Sequence, residues 1–267
     1  MIKMLIDTHA HLYRYSEKQL RSILMRMQEA EVIAISSNHS IKSIERNLEV
    51  CAKTNNYASL GFYYWAPDWV AKEIELERPT EENVDKAIQT IKDSAKSNSK
   101  VVAIGEVGMD FAWAENNKQR EFQKKMFIKF VELASELDLP LIVHHRGAED
   151  FVLETVEKYG VKMILHTFRG TMEQALRAIK LGCLIPIKPS ILYSKYQQKL
   201  ARIVPLENMA FETDSPGSHF SPMPGVANEP TMIRFTAETV SKIKGVPVET
   251  VEDVTTANVR MICKRMR

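Results

Sequence analysis

The chain has 267 residues, of which 45% are hydrophobic and 26% charged, and a formal net charge of +2. That length buries one large core, and the composition is that of an ordinary globular protein. Disordered, fibrous and strongly basic nucleic-acid-coating classes are excluded, while an enzyme holding nucleic acid in a local cleft is not.

Short β-branched and apolar runs recur at 2–6, 32–36, 57–62, 101–106, 141–144, 162–166, 183–187 and 209–212. Amphipathic helical patterns separate them at 17–30, 41–53, 81–96, 118–137, 148–159, 171–179 and 193–203, and two more follow the last run at 229–244 and 248–264. Uniformly apolar strands, each followed by a helix, predict a parallel sheet covered on both faces. Eight such units predict an α/β fold, a (β/α)8 TIM-type barrel, as a single domain over 1–267. An open doubly wound sheet is the alternative, but no GxGxxG follows the first run. The stretch 215–230, with four prolines and two glycines, reads as a long loop at the C-terminal end of the barrel.

Asp7-Thr8-His9-Ala10-His11 follows the first apolar run. Strand alternation puts Asp7, His9 and His11 on one face: two imidazoles, with a carboxylate in reach to hold one of them. Glu106, His144 and His166 close the fourth, fifth and sixth runs, and Asp214 follows the eighth. In a barrel these ends meet at one mouth. Four histidines and two carboxylates suit two divalent cations sharing a carboxylate, and such oxygen and imidazole donors admit Mg, Mn or Zn. The three cysteines, Cys51, Cys183 and Cys263, are scattered, which argues against a thiolate site and fits a reducing compartment.

The ordered series Asp7–His11, Gly105-Glu-Val-Gly-Met-Asp110-Phe111, Leu139-Pro-Leu-Ile-Val-His144, Leu165-His-Thr-Phe-Arg-Gly170, Glu212-Thr-Asp-Ser-Pro216 and Asn228-Glu-Pro230 spans nearly the whole chain. It resembles the motif series of TatD-like metal-dependent deoxyribonucleases, in the amidohydrolase superfamily. The resemblance implies phosphodiester hydrolysis, with DNA as substrate, at a two-metal centre. It assigns His9, His11 and Asp214 to one metal and His144 and His166 to the other, with Glu106 bridging. Two segments depart from the family's pattern. Gly61-Phe62-Tyr63-Tyr64-Trp65 stands where Gly-x-His-Pro is usual, and His144-His145-Arg146-Gly147 stands where His-Ser-Arg-Asp is usual. Both leave the metal ligands in place and bear on the substrate.

At such a centre Asp214, with Glu106, is the expected catalytic carboxylate, Asp214 orienting or deprotonating the water. Arg146, Arg169 and Lys188 follow the fifth, sixth and seventh runs and are candidates to bind phosphate at the mouth. Tyr63, Tyr64 and Trp65, with Trp113, are candidates to stack on bases. His39 stands at the same barrel end outside the motifs, His145 is expected to point away from His144, and His219 is expected to face solvent. The competing reading keeps the metals and changes the bond, giving an amidase, lactonase or ester (aminoacyl) hydrolase. Asp7 cuts the opening apolar stretch before signal-peptide length, and no run is long enough to cross a membrane. A cytoplasmic protein without a membrane partner is therefore expected.

Overall fold

In the computed structural model, which describes residues 4–73, 75–217 and 226–266, eight parallel strands form one barrel. They are β1 (Leu5–Ala10), β2 (Val32–Ser37), β3 (Tyr57–Leu60), β4 (Val101–Gly108), β5 (Leu141–His144), β6 (Met163–Leu165), β7 (Ile185–Ile187) and β8 (Met209–Phe211). The sheet runs β6-β5-β4-β3-β2-β1-β8-β7. A parallel bridge between Ile164 and Leu184 closes it, with Leu165 N–H donating to Leu184 O at 2.9 Å and Leu184 N–H to Met163 O at 3.0 Å. The expected barrel is therefore present.

The outer layer comprises α1 (Glu17–Glu29), α2 (Ser43–Ala52), α3 (Asp68–Glu73), α4 (Glu81–Ser97), α5 (Asn117–Leu137), α6 (Glu149–Tyr159), α7 (Met172–Lys180), α8 (Lys195–Ile203), α9 (Ile233–Lys244) and α10 (Val248–Ile262). Local sequence sets several of their starts. Ser16 and Gln19 form a capping box on α1, and Thr171 and Gln174 form one on α7. The short α3, in the loop after β3, has no counterpart among the expected helices; six residues are too few for periodicity to reveal. The start of α9 moves to Ile233 because Pro230 opens a 3-10 turn after Glu229.

Two packed layers follow from strand alternation. Leu5, Val32, Ala34, Leu60, Val101, Ile104 and Leu141 belong to the cluster shared with the helices. Ile6, Ile33, Ile35, Val102, Ile142 and Ile164 cluster separately with Val259, Ile262, Cys263 and Met266. The second group fills the barrel's lower half, and the end of α10 plugs it from the N-terminal side of the strands. Arg265, just after α10, takes part: its Nη1 donates to the Ala95 carbonyl in the last turn of α4 at 2.7 Å. With the bottom filled, the polar strand ends are left to line the opposite mouth. The expected solvent-facing His219 lies outside the described residues.

Candidate metal centre

β1 extends through His9 to Ala10, further than the apolar run alone indicates; it carries the first imidazole, and His11 follows directly at the start of a 3-10 turn. His9 and His11 Nε2 lie 3.2 Å apart. His9 Nε2 is 3.1 Å from Glu106 Oε2, and His11 Nε2 is 3.2 Å from Asp214 Oδ1. The other Glu106 oxygen, Oε1, faces His144 Nδ1 at 3.1 Å and His166 Nε2 at 3.8 Å. His166 Nε2 also lies 4.0 Å from Asp214 Oδ2. Among the described residues, three groups have donor atoms close enough to share a cation: His9 with His11 and Glu106, Glu106 with His144 and His166, and His9 with His166 and Asp214. All six expected ligands thus meet in one place, from β1, β4, β5 and the ends of β6 and β8.

Backbone proximity permits this. Gly108 pairs with His144 across β4 and β5 at a φ of 145°, and a Cβ there would lie 1.9 Å from the His144 carbonyl oxygen. At Gly61 a Cβ would lie 2.0 Å from the Glu106 carbonyl oxygen. Any side chain at either position would push the strand ends apart and move Glu106 or His144 with them.

The outward ring nitrogens are held. Ser37, at the end of β2, serves two of them: its carbonyl lies 2.7 Å from His11 Nδ1 and its Oγ lies 3.2 Å from His9 Nδ1. Glu212 Oε2 faces His166 Nδ1 at 2.9 Å, and Asp110 Oδ2 faces His144 Nε2 at 2.8 Å. An N–H given to the outer acceptor leaves the other nitrogen's lone pair aimed at the centre, the form a metal requires. Asp110, Glu212 and Ser37 had no assigned role in the sequence reading. Their signal was a polar side chain at the end of a buried apolar strand.

The electrostatics favour positive charge at the same point. Burial opposes ionisation of Glu106, yet His166, His9 and His144 hold its carboxyl well below the usual range. Burial likewise opposes charge on His9, but Glu106 and Asp214 raise its pKa to about 9. His144 is raised to about 9 against its burial by Asp110 and Glu106. A centre that draws protons this strongly also draws divalent cations, which compete for the same lone pairs. The donor set therefore fits divalent metal.

Other expectations fare differently. Asp7 holds no imidazole: it accepts from the backbone N–H of His9 at 3.1 Å and Thr213 at 3.0 Å and from the Thr213 hydroxyl at 2.5 Å. It ties β1 to the segment after β8: its strand partners Ala34 and Phe211 belong to the helix-facing layer, and the register shift between Asp7 and Ala10 separates it from the inward His9. Burial raises its pKa to about 7. Tyr64 is only 2% exposed, stacked 5.6 Å from Phe130 of α5, so it is packed among core side chains rather than displayed at the mouth. Trp65 stacks on His144 at 5.3 Å. Tyr63 donates its hydroxyl to Glu106 Oε2.

Of the expected phosphate binders, Arg146 donates to Asp110 at 2.9 Å and lies over Trp113. Lys188 is 3% exposed, with Glu212 and Asp214 among its electrostatic neighbours, and burial lowers its pKa to about 8. Arg169 is exposed. His39 stacks on His11 at 4.2 Å and pairs with the Tyr13 hydroxyl. His145 turns away from the centre, its Nδ1 lying 3.7 Å from Glu149.

Comparison with known proteins agrees with this architecture. The sequence matches the family described as TatD related DNase over residues 6–264, and the chain belongs to that family. A protein of Methanocaldococcus jannaschii named "uncharacterized metal-dependent hydrolase" is 33% identical over 97% of both chains. A human protein named deoxyribonuclease TATDN3 is 31% identical over 98% of this chain and 96% of its own. The crystal structure of a TatD homologue from Escherichia coli, 22% identical, superposes over 99% of both chains with a TM-score of 0.82, which supports the barrel. The protein is a metal-dependent hydrolase. No helix among the described residues is long and apolar enough to cross a membrane.

Proposed function

We propose that this protein is a deoxyribonuclease that hydrolyses phosphodiester bonds of DNA with two divalent cations, drawn from Mg, Mn or Zn. The observation that carries the reading is the division of Glu106, whose Oε2 serves His9 while Oε1 serves His144 and His166. One carboxylate facing two ligand groups is what a bridged pair of cations requires. His9, His11 and Asp214 would hold one, His144 and His166 the other, with Glu106 between them. When bound, such cations supply Lewis-acid activation of water and of a phosphoryl oxygen.

The protein's own groups do the rest. Asp214 is the carboxylate the mouth leaves open, its side chain 23% exposed against 2% for Glu106. Burial opposes its charge, but His11, His166 and His9 keep it ionised. As the open carboxylate of the mouth, it is the group placed to orient the attacking water and take its proton. The Tyr63 hydroxyl and the outer acceptors of the histidines fix the ligands, so little rearrangement is needed during reaction. Lys188, beside Asp214 and Glu212, and Arg169 offer positive charge to the scissile phosphate. We place the reaction in the cytoplasm, supported by the buried free thiols of Cys51, Cys183 and Cys263.

The test is digestion of end-labelled DNA by protein loaded with each metal, beside activated carboxyl esters and lactones, with elemental analysis of the same sample. Two equivalents of metal and DNA cleavage are expected. Ester turnover with no DNA cleavage under any metal would replace the nuclease reading with that of a carbonyl hydrolase.

A further inference from the structure

Beside the metal centre, the loop after β3 and the loop after β4 enclose a cleft of about 570 Å³ whose lining includes Trp65, Pro67, Trp69, Trp113, Lys118 and Phe122. Three indoles and a phenyl ring in one open cleft are unusual on a protein surface, where isolated apolar residues are the rule. Trp69 stands 63% exposed and meets Trp113 edge-on at 6.0 Å.

Two separate contacts join this cleft to one ligand-type histidine. Trp65 lies stacked on the His144 ring, with an interplanar angle of 16°. Trp113 carries the Arg146 guanidinium 4.6 Å above its ring, Arg146 donates to Asp110, and Asp110 holds His144 Nε2. One donor of the cleft wall is also unspent: Trp65 Nε1, on a side chain 4% exposed, is buried without a hydrogen-bond partner among the described residues. Buried donors normally find acceptors, and its pairing here is left to a ligand.

We propose that this cleft is a base-binding subsite, taking one unpaired base of the strand whose phosphodiester lies at the metal centre; the proposal rests on the nuclease reading above. A nucleobase supplies what the cleft lacks: a flat π-face for the exposed Trp69, with Trp113 edge-on beside it, and a carbonyl or ring-nitrogen acceptor for Trp65 Nε1. Every base has such a face, so the subsite selects an extruded base rather than a sequence. Tyr64 also lines the cleft, but its ring is buried and stacked on Phe130, so it supports the wall rather than offering a face to the base.

The test uses the whole protein in chelator, so that no cleavage intervenes. Tryptophan fluorescence is titrated with tetrathymidylate, and with the same backbone carrying abasic sugars at its two internal positions. Quenching by the intact strand is expected, with affinity falling about 5- to 150-fold for the abasic strand, and by a similar factor in Trp69→Ala for the intact strand. Trp69 is largely exposed, so its loss leaves the fold intact, and Trp113→Phe checks the ring that meets it edge-on. Equal affinity for intact and abasic strands, or no effect of either substitution, would overturn the subsite. Failure of the nuclease reading shows separately, as absent cleavage by the metal-loaded wild type.

Discussion

Asp110 Oδ2 lies 2.8 Å from His144 Nε2, while the same carboxylate accepts from Arg146 Nε at 2.9 Å and from the Ala112 and Trp113 backbone N–H groups. One buried side chain therefore sets both the orientation of a ligand-type histidine and the path of the loop that lines the aromatic cleft. Asp110→Asn keeps the loop bonds and weakens the hold on the imidazole. Metal affinity should drop about 10- to 100-fold, read by competition with a chelator. An unchanged affinity would show that His144 needs no such support.

Glu106 is the group whose loss should be felt at both positions. Glu106→Gln is expected to lower total metal content at both, whereas His144→Ala should chiefly empty one. Elemental analysis with anomalous scattering distinguishes the two outcomes. Selective loss of one cation in Glu106→Gln would argue against a shared carboxylate.

Asp214→Asn should reduce turnover by about 10²- to 10⁴-fold, the range for a proton-transfer group, with a smaller change in substrate binding. Metal content must be measured on the same preparation. A fully metallated variant turning over at the wild-type rate would remove Asp214 from the mechanism.

Lys188 gives a pH signature. Burial holds its folded-state pKa at about 8, below the 10.5 of an exposed lysine. Between those values the unfolded chain binds more protons than the folded one, so this group's contribution makes stability rise with pH, by at most about 1.4 kcal/mol per pH unit. Comparison of denaturant midpoints from pH 8 to 10.5 should show that rise reduced in Lys188→Met relative to wild type. Parallel curves would place the ammonium in contact with water.

Tyr64 and Trp69 belong to one sequence neighbourhood but should behave oppositely. Tyr64→Ala removes a buried ring and should cost about 3–5 kcal/mol of stability. Below its lowered melting temperature, its KM for DNA should stay close to wild type. A large rise in KM without loss of stability would return Tyr64 to the substrate site.

The barrel was legible in the sequence because its signal is repeated: eight apolar runs and the helices between them state the same arrangement. The six ligand-type residues were legible for a related reason, since parallel strands bring residues at their C-terminal ends to one mouth wherever they lie along the chain. Side-chain direction within a loop has no such periodicity. Nothing in Tyr63-Tyr64-Trp65 says that the first would reach Glu106, the second Phe130 and the third His144. The chain bends after β3, and the packing of α5 against it decides which ring is buried. Asp7 makes the same point at a finer scale. Simple alternation groups its carboxylate with the imidazoles, but the register shift after Asp7 separates it from His9, and the approach of Thr213 beyond β8 determines what it bonds. Residue type and strand position are properties of the chain; the partner across 206 residues is created only when the barrel closes.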